Sequence, residues 1–329
     1  MRIRQLSLNA ASHGLPSPWS ARWMRAQFER TDNGAGGRLH TLRRGLKFWV
    51  RCWWRSRALQ VSTAAFRDSV LDSIGQTQPE LALRPLRSYL RHGLDAQRRA
   101  QAVQAHFAWL SRRLPMPVID RLYAGERIAL LDGAESVPGM GLSLATAAGL
   151  GREGELVLQL QWQGAVVMSL AFSVLDASTV IGRSDVAHAT GPRMVIGSLQ
   201  GARGADAALR ELSTAAQRLR PTALLVLGVQ GLSAAWGLAA PMGVTIESHV
   251  YAGYASRRRK VALDYDAAWA DVGAQRTSEH YWTLPALPLL RPDSEVESRR
   301  RAKHRRRNAL RWALLSAVRD RAIGLSARP

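Results

Sequence analysis

The chain has one cysteine, Cys52, in 329 residues. A lone thiol excludes an intrachain disulfide and any zinc site built on several thiolates. No run of about 18 uninterrupted apolar residues occurs, so no membrane-spanning helix is expected. Residues 1–11, MRIRQLSLNAA, are basic but lack an apolar stretch of signal-peptide length, and a cytoplasmic protein is expected. Acidic residues are scarce: 25 Asp and Glu stand against 46 Lys and Arg, a formal charge of +21. That balance is wrong for polycation partners and right for polyanions: an anionic membrane surface, phosphate-bearing small molecules or nucleic acid. Most of the cations are Arg, which grips phosphate with a fork rather than a point charge. With 47% hydrophobic and 22% charged residues the chain has globular composition.

Four regions follow from texture. Residues 1–60 form a basic, partly disordered N-terminal region ending in an amphipathic helix over residues 40–57. There Leu42, Leu46, Trp49 and Trp53 share one face, and Arg44, Lys47, Arg51 and Arg55 another. Residues 61–135 read as helical, with Val103, Phe107 and Leu110 at helical spacing before the stop at Pro115. Gly133 to Gly154 is rich in small residues and suits a hinge or boundary. Residues 136–292 form the mixed-sheet core. Strands are expected at 156–160 and 166–175, joined in a hairpin by Gln161-Trp-Gln-Gly164, and at 193–199. Asp206 caps a helix carrying Ala208, Leu212, Ala215 and Leu219. A buried strand over 223–229, a short helix over 231–239 and a strand over 244–250 complete the pattern. Residues 293–329 make a second basic amphipathic helix. Residues 295–329 hold 11 Lys or Arg against 3 acidic residues, with Leu310, Leu314 and Val318 behind them. The fold class is α+β, a mixed β-sheet with crossover helices.

Candidate sites sit where the core changes direction. Gln200, Gly201, Arg203 and Gly204 lie in a Gly-rich turn between strand and helix, where free backbone amides suit an anion. The same glycines equally serve a tight turn and close helix packing. Glu247, His249 and Tyr251 alternate along the expected strand and so share a face, as a general base and its partners would; a solvated sheet face has the same pattern. Asp264 and Asp266, followed by Trp269, would also share a face on a strand. They suit acid-base work, or pairing with Arg257, Arg258 or Arg259; no ligand spacing supports a metal. His106 reads as a core histidine.

Taken together, the motifs resemble the VirK/YbjX family of bacterial proteins. They run from Arg84-Pro-Leu-Arg-Ser-Tyr-Leu90 and Ala105-His-Phe107 through Leu170-Ala-Phe-Ser173 and Ile196-Gly-Ser-Leu-Gln-Gly201. They continue with Leu219-Arg-Pro221, Ser248-His-Val-Tyr251, Asp264-Tyr-Asp266, Trp269 and the C-terminal Arg run, and so cover about residues 80–320. Phe107, Ala268 and Ala274 depart from the family pattern. The resemblance implies envelope and virulence functions and membrane association, with no catalytic residue to carry over. The strand and helix order, with the Gln200–Ala205 turn, is similar to N-acetyltransferase-like folds, where such a turn holds the phosphates of acyl-CoA. The expectation is a peripheral inner-membrane protein supporting envelope integrity or virulence-factor placement. An acyl-CoA-dependent acyltransferase acting on an envelope component is the alternative, and a nucleic-acid-binding protein a third. Interleaved Trp49, Trp53, Trp54 and Trp312 favour a membrane interface over nucleic acid.

Overall fold

A computed structural model describes residues 38–67, 69–134, 136–176, 191–254 and 263–326. The loose order expected for residues 1–37, and the pairing expected of Arg257, Arg258 and Arg259, fall outside the described residues.

Helix α1 (Arg38–Trp54) occupies the expected amphipathic segment, followed by α2 (Ser56–Ala64) and the short α3 (Asp72–Thr77). A 3-10 turn over Arg84–Leu86 leads to α4 (Ala96–Arg113), which starts where the Asp95 side chain accepts from the Arg98 amide. Pro115 ends that run and opens α5 (Met116–Tyr123). His106 of α4 is fully buried, and its Nδ1 accepts from the Val174 amide at 3.1 Å. Burial alone pulls its pKa down to about 3, so it is a neutral core histidine, as expected.

The sheet comprises β1 (Ile128–Ala134), β2 (Val137–Thr146), β3 (Leu156–Trp162), β4 (Ala165–Asp176), β5 (Pro192–Gly201), β6 (Ala239–Val244), β7 (Gln275–Arg276) and β8 (Tyr281–Thr283). Their order is β1-β2-β3-β4-β5-β6-β8-β7. The first five form an antiparallel meander, β5 and β6 run parallel, and β6–β8–β7 are antiparallel again. The expected hairpin joins β3 to β4, with Gln163 (φ 49°) and Gly164 (φ 80°) both left-handed at its tip. The sheet opens earlier than expected: β1 lies in the segment read as helical, and β2 fills the small-residue stretch read as a hinge.

Between β5 and β6 the chain crosses over through α6 (Asp206–Ala215) and α7 (Pro221–Trp236). The apolar run 223–229 is therefore helix, not strand, and the short helix expected over 231–239 is its second half. All but one of the residues from Leu224 to Trp236 are buried, because α7 lies between the sheet and the C-terminal helix α9 (Ser298–Leu325). A side chain at Gly231 would fall 2.8 Å from the Leu315 carbonyl oxygen, so glycine lets the two helices touch. Leu310, Leu314, Leu315, Val318 and Ala322 of α9 are buried. Arg321 at its far end donates to the Ala129 carbonyl of β1 at 3.1 Å. Helix α8 (Tyr265–Asp271) then precedes the short strands β7 and β8.

Candidate functional site

Strands β5 and β6 pair from Arg193↔Ala239 only as far as Ile196↔Gly243. β5 runs on to Gly201 while β6 ends at Val244, so the two strands part and leave one edge of β5 without a strand partner among the described residues. The parting begins at a bulge. Ala171 faces Ser198 and Phe172 faces Ile196, which leaves Gly197 as the extra residue of β5. Helix α8 spans the opening. The Tyr265 hydroxyl accepts from the Leu199 amide at 3.1 Å and donates to the Leu199 carbonyl at 3.2 Å, while Trp269 Nε1 donates to the Val244 carbonyl at 2.9 Å. Gly243 makes room for that indole, since a Cβ there would lie 2.6 Å from it. His249 stacks on Tyr265 with ring centroids 5.3 Å apart.

Glu153 lies over the bulge. The segment leading into β3 crosses β4 and β5 so closely that a Cβ on Gly154 would lie 2.6 Å from the Phe172 backbone, and one on Gly197 would collide with the Glu153 carbonyl oxygen. This holds the Glu153 side chain at 1% exposure, with Oε2 lacking any hydrogen-bond partner among the described residues. Burial pushes its pKa up to about 7, against the pull of its own and the Arg152 backbone amides and of the Arg152 charge. Near neutral pH this carboxyl gains and loses a proton. The Tyr265 phenol is held well above its usual value, first by burial and then by the nearby Glu153 charge, and stays protonated. His249 is pulled down to about 4 by burial and stays neutral; its Nε2 has no partner among the described residues. Ser198 Oγ beside the bulge is likewise buried without one. Sequence reasoning missed Glu153 and Tyr265 as site residues. The available signal was a glutamate between Gly151 and Gly154, beside an apolar run that has no use for charge.

The residues expected from sequence are distributed differently. β6 ends at Val244, and the Ser248 amide turns back onto the Thr245 carbonyl at 3.1 Å, so Glu247, His249 and Tyr251 do not alternate along a strand. Glu247 is exposed and faces Arg276 at 3.5 Å, which removes it from the site. His249 and Tyr251 remain together, with ring centroids 5.5 Å apart. Asp264 and Asp266 lie at the start of a helix rather than on a strand: Asp264 accepts from the Ala267 amide at 3.0 Å as a cap, and Asp266 from Trp282 Nε1 at 2.7 Å. Trp269 is a buried part of the wedge.

Of the residues read as one Gly-rich turn, Gln200 and Gly201 are the exposed last residues of β5, paired with Ser169 and Met168 of β4, and only Arg203 and Gly204 lie in the exposed turn that opens α6. Gly204 has φ 74° with open space around it. Asp206 is the first helical residue rather than the cap, and Ala205, which stands at the cap, offers no side-chain acceptor to the first amides of α6. Beside this turn a cleft of about 580 Å³ separates α6 from α8. Met168, Leu209, Leu263 and Ala268 give it apolar walls, and Asp206, Asp264 and Asp271 also line it.

Comparison with known proteins fits these motifs. The family model described as "Protein of unknown function (DUF535)" matches residues 37–319, and so takes in α1 as well as the core. The "Uncharacterized protein YbjX" of Escherichia coli (strain K12) is 26% identical over 292 residues, covering 83% of each chain. No solved structure matches the chain. The chain belongs to the DUF535 family, and it is a VirK/YbjX-type protein.

Proposed function

We propose that the chain is an acyl-CoA-dependent acyltransferase working at an anionic membrane surface, with an envelope component as acceptor. The observation that carries this reading is the opening between β5 and β6, with the turn that opens α6 following β5 and with Glu153 buried over the Gly197 bulge where the opening begins. The uncapped amides of α6, the Arg203 side chain and the cleft between α6 and α8 suit a phosphate-bearing cofactor with an apolar arm. Asp206 in the first turn opposes a phosphate there, and Arg203 is the compensating charge. When bound, acyl-CoA supplies the activated acyl group. Glu153 is suited to take the acceptor's proton, because its pKa of about 7 makes it an effective base near neutrality. Tyr265 keeps its proton on the Leu199 carbonyl, and its part is to hold α8 against β5 beside the bulge. In thermal unfolding with acetyl- to palmitoyl-CoA, a ligand at 100 times its Kd adds about 2.7 kcal/mol. The expected result is a raised midpoint that Arg203→Ala abolishes. No response to any acyl-CoA overturns the transferase.

The membrane half of the reading rests on α1. Its inward face is Phe48 and Cys52, packed on Leu59, Leu83 and Leu86. The stripe Leu42, Leu46, Trp49 and Trp53 faces outward: Leu42 is 71% exposed, Leu46 67% and Trp53 78%, with Trp54 beside them at 83%. A basic helix with an outward aromatic stripe lies in the headgroup region, and each Lys or Arg near an anionic bilayer adds about 1 kcal/mol. The C-terminal helix contributes less than its composition promised. Its apolar side is in the core, Arg305 pairs with Asp293 at 3.2 Å, and Arg307 donates to the Gln217 and Arg218 carbonyls. Among the described residues no helix is long and apolar enough to cross a membrane; the attachment proposed is peripheral, at the cytoplasmic face of the inner membrane. Trp53→Ser with Trp54→Ser is expected to weaken binding to anionic vesicles at least tenfold with an unchanged unfolding midpoint. Steeply salt-dependent DNA binding without vesicle binding reverses the choice of partner.

A further inference from the structure

A second cavity, of about 450 Å³, is walled in part by Gly151, Arg152 and Glu155, and nothing in the transferase reading uses it. Arg84, Arg87, Arg152, Glu155, Tyr123 and Tyr251 line it. Arg84 is spent on structure: its Nε and Nη2 bind the two oxygens of buried Glu155 at 3.1 and 3.2 Å, and the Gly151 backbone closes over its other side. Arg87 and Arg152 form no ion pair among the described residues. Arg87 is half-buried, and its pKa is lowered first by burial and then by Arg84 and Arg152 beside it, so these guanidinium groups crowd one another. Arg152 is held over the rings of Tyr251 and Tyr254, at 5.9 and 6.0 Å. The Tyr123 hydroxyl is buried without a hydrogen-bond partner among the described residues, and burial keeps it protonated as a donor. Glu80 also lines the cavity and offsets one charge.

Two forked cations and an idle hydroxyl around a cavity of ligand size are donors without an acceptor. We propose that this cavity binds a phosphate ester, with Arg87, Arg152 and Tyr123 on the phosphoryl oxygens. A dianionic phosphate matches the donor set better than a carboxylate, because the carboxylate fork of the site is already taken by Glu155 on Arg84. The phosphate comes either from a soluble ester or from a lipid headgroup. The fold favours the headgroup: residues 83–87 carry Arg87 into the cavity and also receive α1 through Leu83 and Leu86 packing on Cys52, with Arg55, the residue after α1, donating to the Leu86 carbonyl at 2.8 Å. Only that choice of source rests on the membrane reading; the site itself does not.

The test uses the full chain with glycerol 3-phosphate in solution, and with phosphatidic-acid and phosphatidylglycerol vesicles matched in surface charge. The variants are Arg87→Met, Arg152→Met and, as a control in the C-terminal basic helix, Lys303→Met. The expected result is a raised unfolding midpoint with glycerol 3-phosphate, or a preference for phosphatidic acid over phosphatidylglycerol. Either effect falls at least tenfold in affinity in both cavity variants and is unchanged in Lys303→Met. A response to glycerol 3-phosphate alone assigns a soluble ester, and a response to phosphatidic acid a headgroup. Arg87→Met relieves like-charge crowding, so its own midpoint is expected to stay level or rise, which separates lost binding from lost fold. The Trp53→Ser, Trp54→Ser variant is expected to lose vesicles yet keep glycerol 3-phosphate, so failure of the membrane reading is told apart from failure of the site. Absence of both phosphate responses, binding that survives both cavity substitutions, or an equal loss in Lys303→Met overturns the proposal.

Discussion

At the scale of single residues, buried titratable groups give the molecule two opposed pH dependences. Glu153 has a folded pKa of about 7 against an ordinary 4.5. Its contribution to stability is therefore fully present below pH 4.5 and is lost as pH rises through 7. Glu153→Gln removes that loss. The variant is expected to gain on wild type between pH 5 and 8, by on the order of 1 kcal/mol at the upper end, in urea titrations across that range. A constant gap across the range refutes the assignment of a buried, protonatable carboxyl. His106 and His249 act with the other sign: their folded values of about 3 and 4 lie below 6.5, so their contribution is present above pH 6.5 and lost as pH falls through those values. Tyr265 tests a different term. Its hydroxyl serves both the amide and the carbonyl of Leu199, and Tyr265→Phe leaves those buried groups without a partner. Destabilisation of about 1–3 kcal/mol is expected by urea denaturation.

At the scale of elements, some of the fold was legible and some was not, for identifiable reasons. The β3–β4 hairpin was readable because Gln163-Gly164 is a turn that only left-handed backbone closes. Helix α4 was readable from its spacing and its proline stop. Helix α7 was misread, because a helix buried all round has no polar face, and an apolar run then looks like a central strand. Its ends carried the missing signal: Pro221 in the first turn and Gly237, in the left-handed conformation at φ 63°, just past the last. Residues 245–251 were misread because alternating polarity is also what a turn shows when His249 is drawn inward by a tyrosine ring distant in sequence. Glu153 was illegible because the crossing that buries it depends on Gly154 and Gly197 lying against backbone from other strands. Where α7 meets α9, Gly231→Val would press on the Leu315 carbonyl and on Val318. It is expected to destabilise by about 1–3 kcal/mol and to speed hydrogen exchange in both helices together. Faster exchange in only one of them would mean that the two do not form a seam.

At the scale of the whole molecule, the C-terminal basic helix belongs to the core rather than to an appended tail. Leu314, Leu315 and Val318 close over α7, which is itself almost entirely buried. Removing residues 298–329 is therefore expected to abolish the cooperative unfolding transition and to make the protein bind a hydrophobic dye strongly. A truncated chain that unfolds as sharply as the full one contradicts the packing. The two basic helices thus have separate tasks: α9 completes the fold and α1 offers its aromatic stripe outward.

The bond from Arg321 to the Ala129 carbonyl has a consequence for self-association. An open sheet has two borders at which another copy can add a strand. Here the β7 border is two residues long and holds Arg276, while the β1 border is broken by register shifts and flanked by α9. The same helix that seals the core thus guards the long border against templating. Any lesion that frees its last turns uncovers the outer donors and acceptors of β1, and such chains are expected to stack edge to edge.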